Sequence, residues 1–346
     1  MLPVGDFDNN DDGRLSPFLG DDAGSDLPPP ISKIRRQICL AKLLRNFPLG
    51  GQYPSQPQAM RLAASLGQLL DQLYNADATA KQLRDLLPYQ FSSHWQDILT
   101  LLRILSDRWP NILAQEELID VVDRRNRLIR CRADRWREKP PDQLIVIAGS
   151  TGSIAATREL IGVIANLPNG HVVLPGLDRH VDDQWQAICE DIVHPQYQLA
   201  QLLAYLEITP DQVQNWTGST DPIPPELPAR RNLMREVFRP AAISESWQRL
   251  GDANMTIDRM ALSGLKVITA RDRREEANLI ALSLREALEK PNQTAAMVTP
   301  DRQLAELVIA DLRRWDIVIE DSAGKRLSLC PPGRFLLLLC DAVDAN

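Results

Sequence analysis

Val146-Ile-Ala-Gly-Ser-Thr-Gly-Ser-Ile-Ala-Ala-Thr-Arg-Glu-Leu-Ile161 is the stretch that decides how the chain is read. An apolar strand, Leu144 to Ala148, enters a loop of small residues, Gly149, Ser150, Thr151, Gly152 and Ser153, and leaves as an amphipathic helix. That order is the shape of a nucleotide-binding turn, in which backbone amides at a helix N-terminus meet an anion. The groups that give such a turn its chemistry are missing. No Lys follows the glycines to reach a β- or γ-phosphate, and no Asp or Glu ends the strand to hold magnesium. Two readings of the five loop residues stand side by side: a vestigial anion loop, or a tight turn in which Ser153 caps the helix.

Outward from this turn, residues 142–180 read as β-α-β, with strands at 143–148 and 171–174 and Pro168-Asn169-Gly170 as the turn between helix and strand. Residues 31–141 carry apolar residues at helical spacing: Ile31 to Phe47, Gln58 to Leu73, Ala80 to Leu87, His94 to Arg108, and a long helix from Ala114 to Glu138 stopped by Pro140-Pro141. Residues 181–260 return to helix around a proline-rich interruption at Asp221 to Pro228. Residues 261–346 repeat the alternation, with strands at 265–269, 295–298 and 317–319 around helices Arg273 to Glu289 and Arg302 to Trp315. Alternation of this kind predicts an α/β fold with parallel sheets and large helical insertions. Two incomplete α/β units, and an apolar helix that starts just before Asn346, lead to the expectation of a fragment of a longer protein.

The chain has 346 residues, 44% apolar and 25% charged, which fits an ordinary globular protein of two or three domains. It has no apolar run of about 18 residues, so no transmembrane helix is expected. The acidic N-terminus has no apolar segment of the secretory kind. Cys39, Cys131, Cys189, Cys330 and Cys340 are scattered without a C-x-x-C, so neither a disulfide framework nor a zinc site is expected. Reduced cysteines fit a cytoplasmic location. The net charge of −7 is concentrated: seven Asp against one Arg give residues 1–30 a charge of −6, leaving −1 for the other 316. This acidic opening segment ends in Pro28-Pro29-Pro30. Basic surfaces remain available beyond it.

The strongest charge signal is Arg124-Arg-Asn-Arg-Leu-Ile-Arg-Cys-Arg-Ala-Asp-Arg-Trp-Arg-Glu-Lys139. Planar, multidentate guanidinium groups suit phosphate contacts, which nominates Arg124, Arg125, Arg127, Arg130 and Arg132 for nucleic acid. The competing reading pairs them with acidic neighbours such as Asp120, Asp123 and Asp134, or with a partner subunit. A shorter basic patch runs from Lys33 to Arg36 with Lys42 and Arg45. Asp8-Asn-Asn-Asp-Asp-Gly-Arg-Leu has calcium-loop spacing, but Leu19 stands where a bidentate carboxylate belongs. Gly324-Lys325 lacks both the preceding Gly and the following Ser or Thr of a phosphate loop. No Ser/His/Asp order, paired carboxylates or HExxH nominates a catalytic residue.

The chain resembles the N-terminal part of the AddB family, the second subunit of bacterial AddAB helicase–nucleases, in its alphaproteobacterial form. The resemblance spans most of the chain. It rests on Leu27-Pro-Pro-Pro-Ile-Ser-Lys-Ile-Arg-Arg36, Ile147-Ala-Gly-Ser-Thr-Gly-Ser-Ile154, Val173-Leu-Pro-Gly-Leu-Asp178, and His194-Pro-Gln-Tyr197 before a helix. It continues through Ala270-Arg-Asp-Arg-Arg-Glu-Glu-Ala277, Val298-Thr-Pro-Asp-Arg302, and Trp315-Asp-Ile-Val-Ile-Glu-Asp-Ser-Ala-Gly324. It implies a superfamily 1 helicase-like scaffold. Residues 142–180 would lie in a first RecA-like domain, 261–346 would open a second, and the helical stretches would be accessory insertions. It also implies an AddA motor partner, DNA, and double-strand break processing for homologous recombination. The family's iron–sulphur cluster and nuclease metal belong to a C-terminal region that this sequence does not contain, so no cofactor is expected here. Two other classes of function compete: a nucleotide- or sugar-phosphate-binding enzyme that uses Gly149–Ser153, and a pure protein–protein scaffold.

Overall fold

The computed structural model describes residues 27–48, 51–85, 98, 101–179, 184–216, 224, 226–249, 258–322, 324 and 326–344. The calcium-like loop at Asp8 to Leu19 and residue Lys325 lie outside them. The chain divides into two compact units, Met1–Leu262 and Ser263–Asn346.

The first unit is mostly helical. Helices α1 (Lys33–Arg45) and α2 (Gln56–Ala76) pack along each other over Leu40, Leu44, Ala59, Ala63, Leu66 and Leu70. Ser32 caps α1 by accepting from the Arg35 amide, and Ser55 with Gln58 forms a capping box on α2. After α3 (Ala80–Asp85), a π-turn at Ile104–Arg108 runs into α4 (Trp109–Gln115), where Trp109 is fully buried. The single helix expected over Ala114 to Glu138 is in fact two. The chain leaves helix at Glu116, Glu117 takes a left-handed φ of 53°, and α5 (Val121–Glu138) starts afresh. Asp120 makes the break by capping α5, its carboxylate accepting from the Val122 amide at 3.2 Å. The linker is also tied to the proline segment. The Ile31 amide donates to the Ile119 carbonyl at 2.9 Å, and the Ile119 amide donates to the Pro29 carbonyl at 3.1 Å.

Strand β1 (Ile145–Ala148), helix α6 (Ala155–Ala165) and strand β2 (Gly170–Val173) form the expected β-α-β unit. The strands are parallel, with Ile145 opposite Gly170 and Ala148 opposite Val173. Ile147 faces a core shared by Ile129, Ala133 and Trp136 of α5, Leu160, Ile161 and Ile164 of α6, and Leu202. Further α-helices of this unit among the described residues are α7 (Trp185–Glu190), α8 (Tyr197–Tyr205) and α9 (Glu226–Val237).

The second unit holds α10 (Arg273–Leu288), α11 (Arg302–Arg313) and α12 (Pro331–Asp344). Ala277 and Ala281 of α10 pack on Leu304, Val308 and Leu312 of α11. Both helices occur where expected; the sheet does not. Residues 265–269, 295–298 and 317–319 form no strand ladder among the described residues. Val267, Val298 and Val318 are 97%, 96% and 93% exposed. β-branched residues supply a preference for strand, but a strand exists only with a partner to bond and a face to bury. The described fold is therefore helix-rich with one two-stranded parallel sheet. None of the described helices is long and apolar enough to cross a membrane.

Candidate nucleic-acid interface

Helix α5 carries the arginine run. Asn126, Leu128, Ile129, Ala133 and Trp136 are its buried residues and fix how it lies against α2 and α6. With that face committed, each nominated arginine meets a partner inside the unit. Arg124 donates from Nε to the Pro28 carbonyl at 3.3 Å. Arg125 donates to the Asn75 and Asn126 side-chain oxygens, and burial lowers its pKa. Arg127 pairs one turn back with Asp123 at 3.0 Å. Arg130 bridges Asp77 at 3.0 Å and Glu159 at 3.3 Å. The Arg132 guanidinium lies 5.5 Å from the Trp136 ring centroid.

The arginine run therefore works as an internal fastener as well as a source of positive charge. Asp123 and Asp134 take the part sequence reasoning allowed them, pairing with Arg127 and Arg137. Asp120 does not pair with the run. It is fully buried and forms an ion pair with Arg36 at 2.9 Å, while Arg36 also pairs with Asp71 at 2.8 Å and donates to the Gly67 carbonyl at 3.2 Å. Burial raises the Asp120 pKa, and the Arg36 charge opposes that rise. Arg36, counted in the basic patch by sequence, is thus the internal link from α1 to α2 and α5. Within the arginine run and the shorter basic patch, the exposed cations with no ion pair among the described residues are Lys33, Lys42 and Arg45 on α1, and Arg135 with Lys139 at the end of α5. These five are better placed to meet a phosphate than the five first nominated, because no internal bond must break first.

The glycine turn sits next to this helix, since α6 packs on α5. Gly149 and Gly152 hold φ of 79° and 66°, the left-handed region that glycine enters without strain. Two amides are already spent: Gly149 donates to the Val173 carbonyl at 3.1 Å, and Gly152 donates to the Ser150 hydroxyl at 3.3 Å. Arg158 folds back to donate to the Gly152 carbonyl at 3.1 Å. Ser153 does not cap the helix. Ile154 is the N-cap and offers no side-chain bond. Thr151 and Ser153 complete the turn, without a Lys or an acidic residue in it. The turn carries two left-handed glycines after a strand and before a helix, and two of its five amides close on the protein itself.

Among the described residues, no group of His, Cys, Asp and Glu is arranged to hold a metal ion, and all five cysteines are free thiols. No family model matches the chain, and no curated protein matches it.

Proposed function

We propose that this chain is the non-catalytic, helicase-like part of a double-strand break repair helicase–nuclease subunit. In this reading it binds and guides DNA beside an AddA-type motor during end processing for homologous recombination, in the cytoplasm. The observation that carries the reading is the β1–turn–α6–β2 unit. A parallel β-α-β with a glycine turn after its first strand is joined to an arginine-rich helix, and the turn lacks the Lys and the strand-end carboxylate that phosphoryl chemistry needs. The superfamily 1 assignment and the motor partner rest on the sequence resemblance.

The reading is tested by anisotropy titrations of the full chain with duplex and single-stranded DNA at two salt concentrations. Sequence-independent binding that weakens with salt is expected. Changing Arg135 and Lys139 together to Glu should flatten the log–log salt slope by about 2, since each neutralised phosphate contributes roughly 0.9. Absence of DNA binding at low salt overturns the reading. It would favour the scaffold alternative, for which the exposed Phe335, Leu336, Leu338 and Val343 of α12 already offer an apolar surface.

A further inference from the structure

A cavity of about 560 Å³ opens beyond the carboxyl end of β2, between the segment following that strand, the residues leading into α7 and α8, and helix α9. The volume falls within the roughly 300–1,000 Å³ of small-ligand sites, and the carboxyl edge of a parallel pair is where α/β folds place ligands. Its lining combines two chemistries. Arg179, Arg230, Arg231 and Arg235 line it with one carboxylate, Asp178, and Arg230 donates from Nε to the Ala261 carbonyl at 3.2 Å. Arg235 grips Asp178 through two bonds of 2.8 Å. Arg231 is exposed and has no ion pair among the described residues. Arg179 reaches the Asp211 carbonyl only at 3.4 Å, and its Nε has no acceptor among the described residues.

The other part of the lining is apolar, with Leu227, Met234 and Phe238 on one helix and its end. Met234 and Phe238 are exposed. Two polar side chains complete the wall. Gln184 is 1% exposed and brings a carboxamide, which can both donate and accept, to the wall. His194 accepts from the Gln196 amide at Nδ1, 3.0 Å, which leaves its neutral form with a donor at Nε2.

We propose that this cavity binds a nucleoside 5′-phosphate. The arginines hold the phosphate monoester, Phe238 and Met234 pack against the base, and Gln184 bonds to the base edge. A simple anion would use the cations and leave the apolar wall without a role. An apolar ligand would leave the charge without one. The same chemistry comes from a free nucleotide or from the phosphorylated 5′ end of a strand. The inference stands on the cavity lining and does not depend on the DNA reading above.

Calorimetric titration of the full chain with thymidine 5′-monophosphate, thymidine and inorganic phosphate tests it. The monophosphate should bind at least about tenfold more tightly than either part alone, the scale of one charge-assisted contact. Arg231→Glu and Phe238→Ala, both at exposed positions, should each weaken it by about tenfold with the unfolding midpoint unchanged. No binding of the monophosphate, equal binding of inorganic phosphate, or indifference to both substitutions overturns the proposal. Competition with hexamer oligonucleotides identifies the source. Displacement by the 5′-phosphorylated hexamer alone supports a strand end, and no displacement by either supports a free nucleotide. Equal displacement by the 5′-hydroxyl hexamer overturns the monoester assignment, because internal diesters would then suffice.

Discussion

Arg130 and Glu159 meet across the α5–α6 contact, guanidinium Nε to carboxylate Oε2 at 3.3 Å, and Arg137 reaches the other oxygen of the same carboxylate at 2.9 Å. One carboxylate on the helix after the glycine turn therefore holds two arginines of the run. Glu159→Gln should lower stability by about 1 kcal/mol or less, because the groups are partly exposed. If the helix borders a DNA path, the same change should tighten DNA binding and steepen its salt dependence, as two cations each lose one of their two internal partners. Unfolding curves and anisotropy at two salt concentrations measure both effects; unchanged affinity would assign the arginines to structure.

Asp120 caps α5 and pairs with Arg36 while fully buried. Asp120→Ala removes both roles and should cost about 3–5 kcal/mol, the range for leaving a buried charge without its partner. Asp120→Asn keeps an N-cap and should cost less. The raised pKa of Asp120 fixes the sign of the pH effect. Its folded-state value lies above the ordinary carboxylate value, so its contribution is fully present below that ordinary value and is lost as pH rises through the folded one. The stability advantage of wild type over Asp120→Asn should accordingly shrink across that interval. Urea denaturation at several acid pH values measures it.

Gly152 and Gly149 share a left-handed φ but not the same surroundings. A Cβ at Gly152 would stand 3.1 Å from Leu202 Cδ1 and 3.5 Å from Arg158 Cβ, whereas one at Gly149 meets nothing within 4 Å. Gly149→Ala should cost about 1 kcal/mol from backbone strain alone, and Gly152→Ala about 2 kcal/mol once the contact with Leu202 is added. Thermal unfolding of the two variants side by side checks the order. Equal costs would mean that α8 yields at Leu202.

ATP hydrolysis should stay at background with or without DNA. The turn has no Lys, β1 ends without a carboxylate, and the Gly149 and Gly152 amides are already bonded within the protein. A phosphate-release assay settles it. DNA-stimulated turnover that disappears on Ser150→Ala or Thr151→Ala would refute the expectation.

The β1–turn–α6–β2 unit was legible because its signals are local. Apolar runs of strand length, two glycines and a helical stripe lie within thirty residues. The break before α5 was not, because Glu117 takes a left-handed φ with no glycine to announce it, and the burial of the capping Asp120 beside Arg36 depends on packing with a helix far away in sequence. The arginine run was visible as charge, but its partners Asp77 and Glu159 lie far away in sequence, so its fastening role depends on packing. The cavity arginines gave only a partial signal, since Arg230, Arg231 and Arg235 cluster in sequence but Arg179 does not. Arg179 and Arg231 are separated by dozens of residues and come together only through α9. Val267, Val298 and Val318 show the opposite failure, in which a strong local preference meets no partner strand among the described residues.

The bonds joining Pro29 and Ile31 to Ile119 bring the two ends of the α1–α4 block to one place. A block that enters and leaves at the same point behaves as a cassette. Its connections span no distance that a short linker could not, so it can be lengthened without pulling on β1 and β2. What ties it down is the Arg36–Asp120 pair and the side of α2 facing α5, where Asn126 donates to the Tyr74 carbonyl at 2.8 Å. The architecture thus separates a part free to change in size from a seam that must keep its shape.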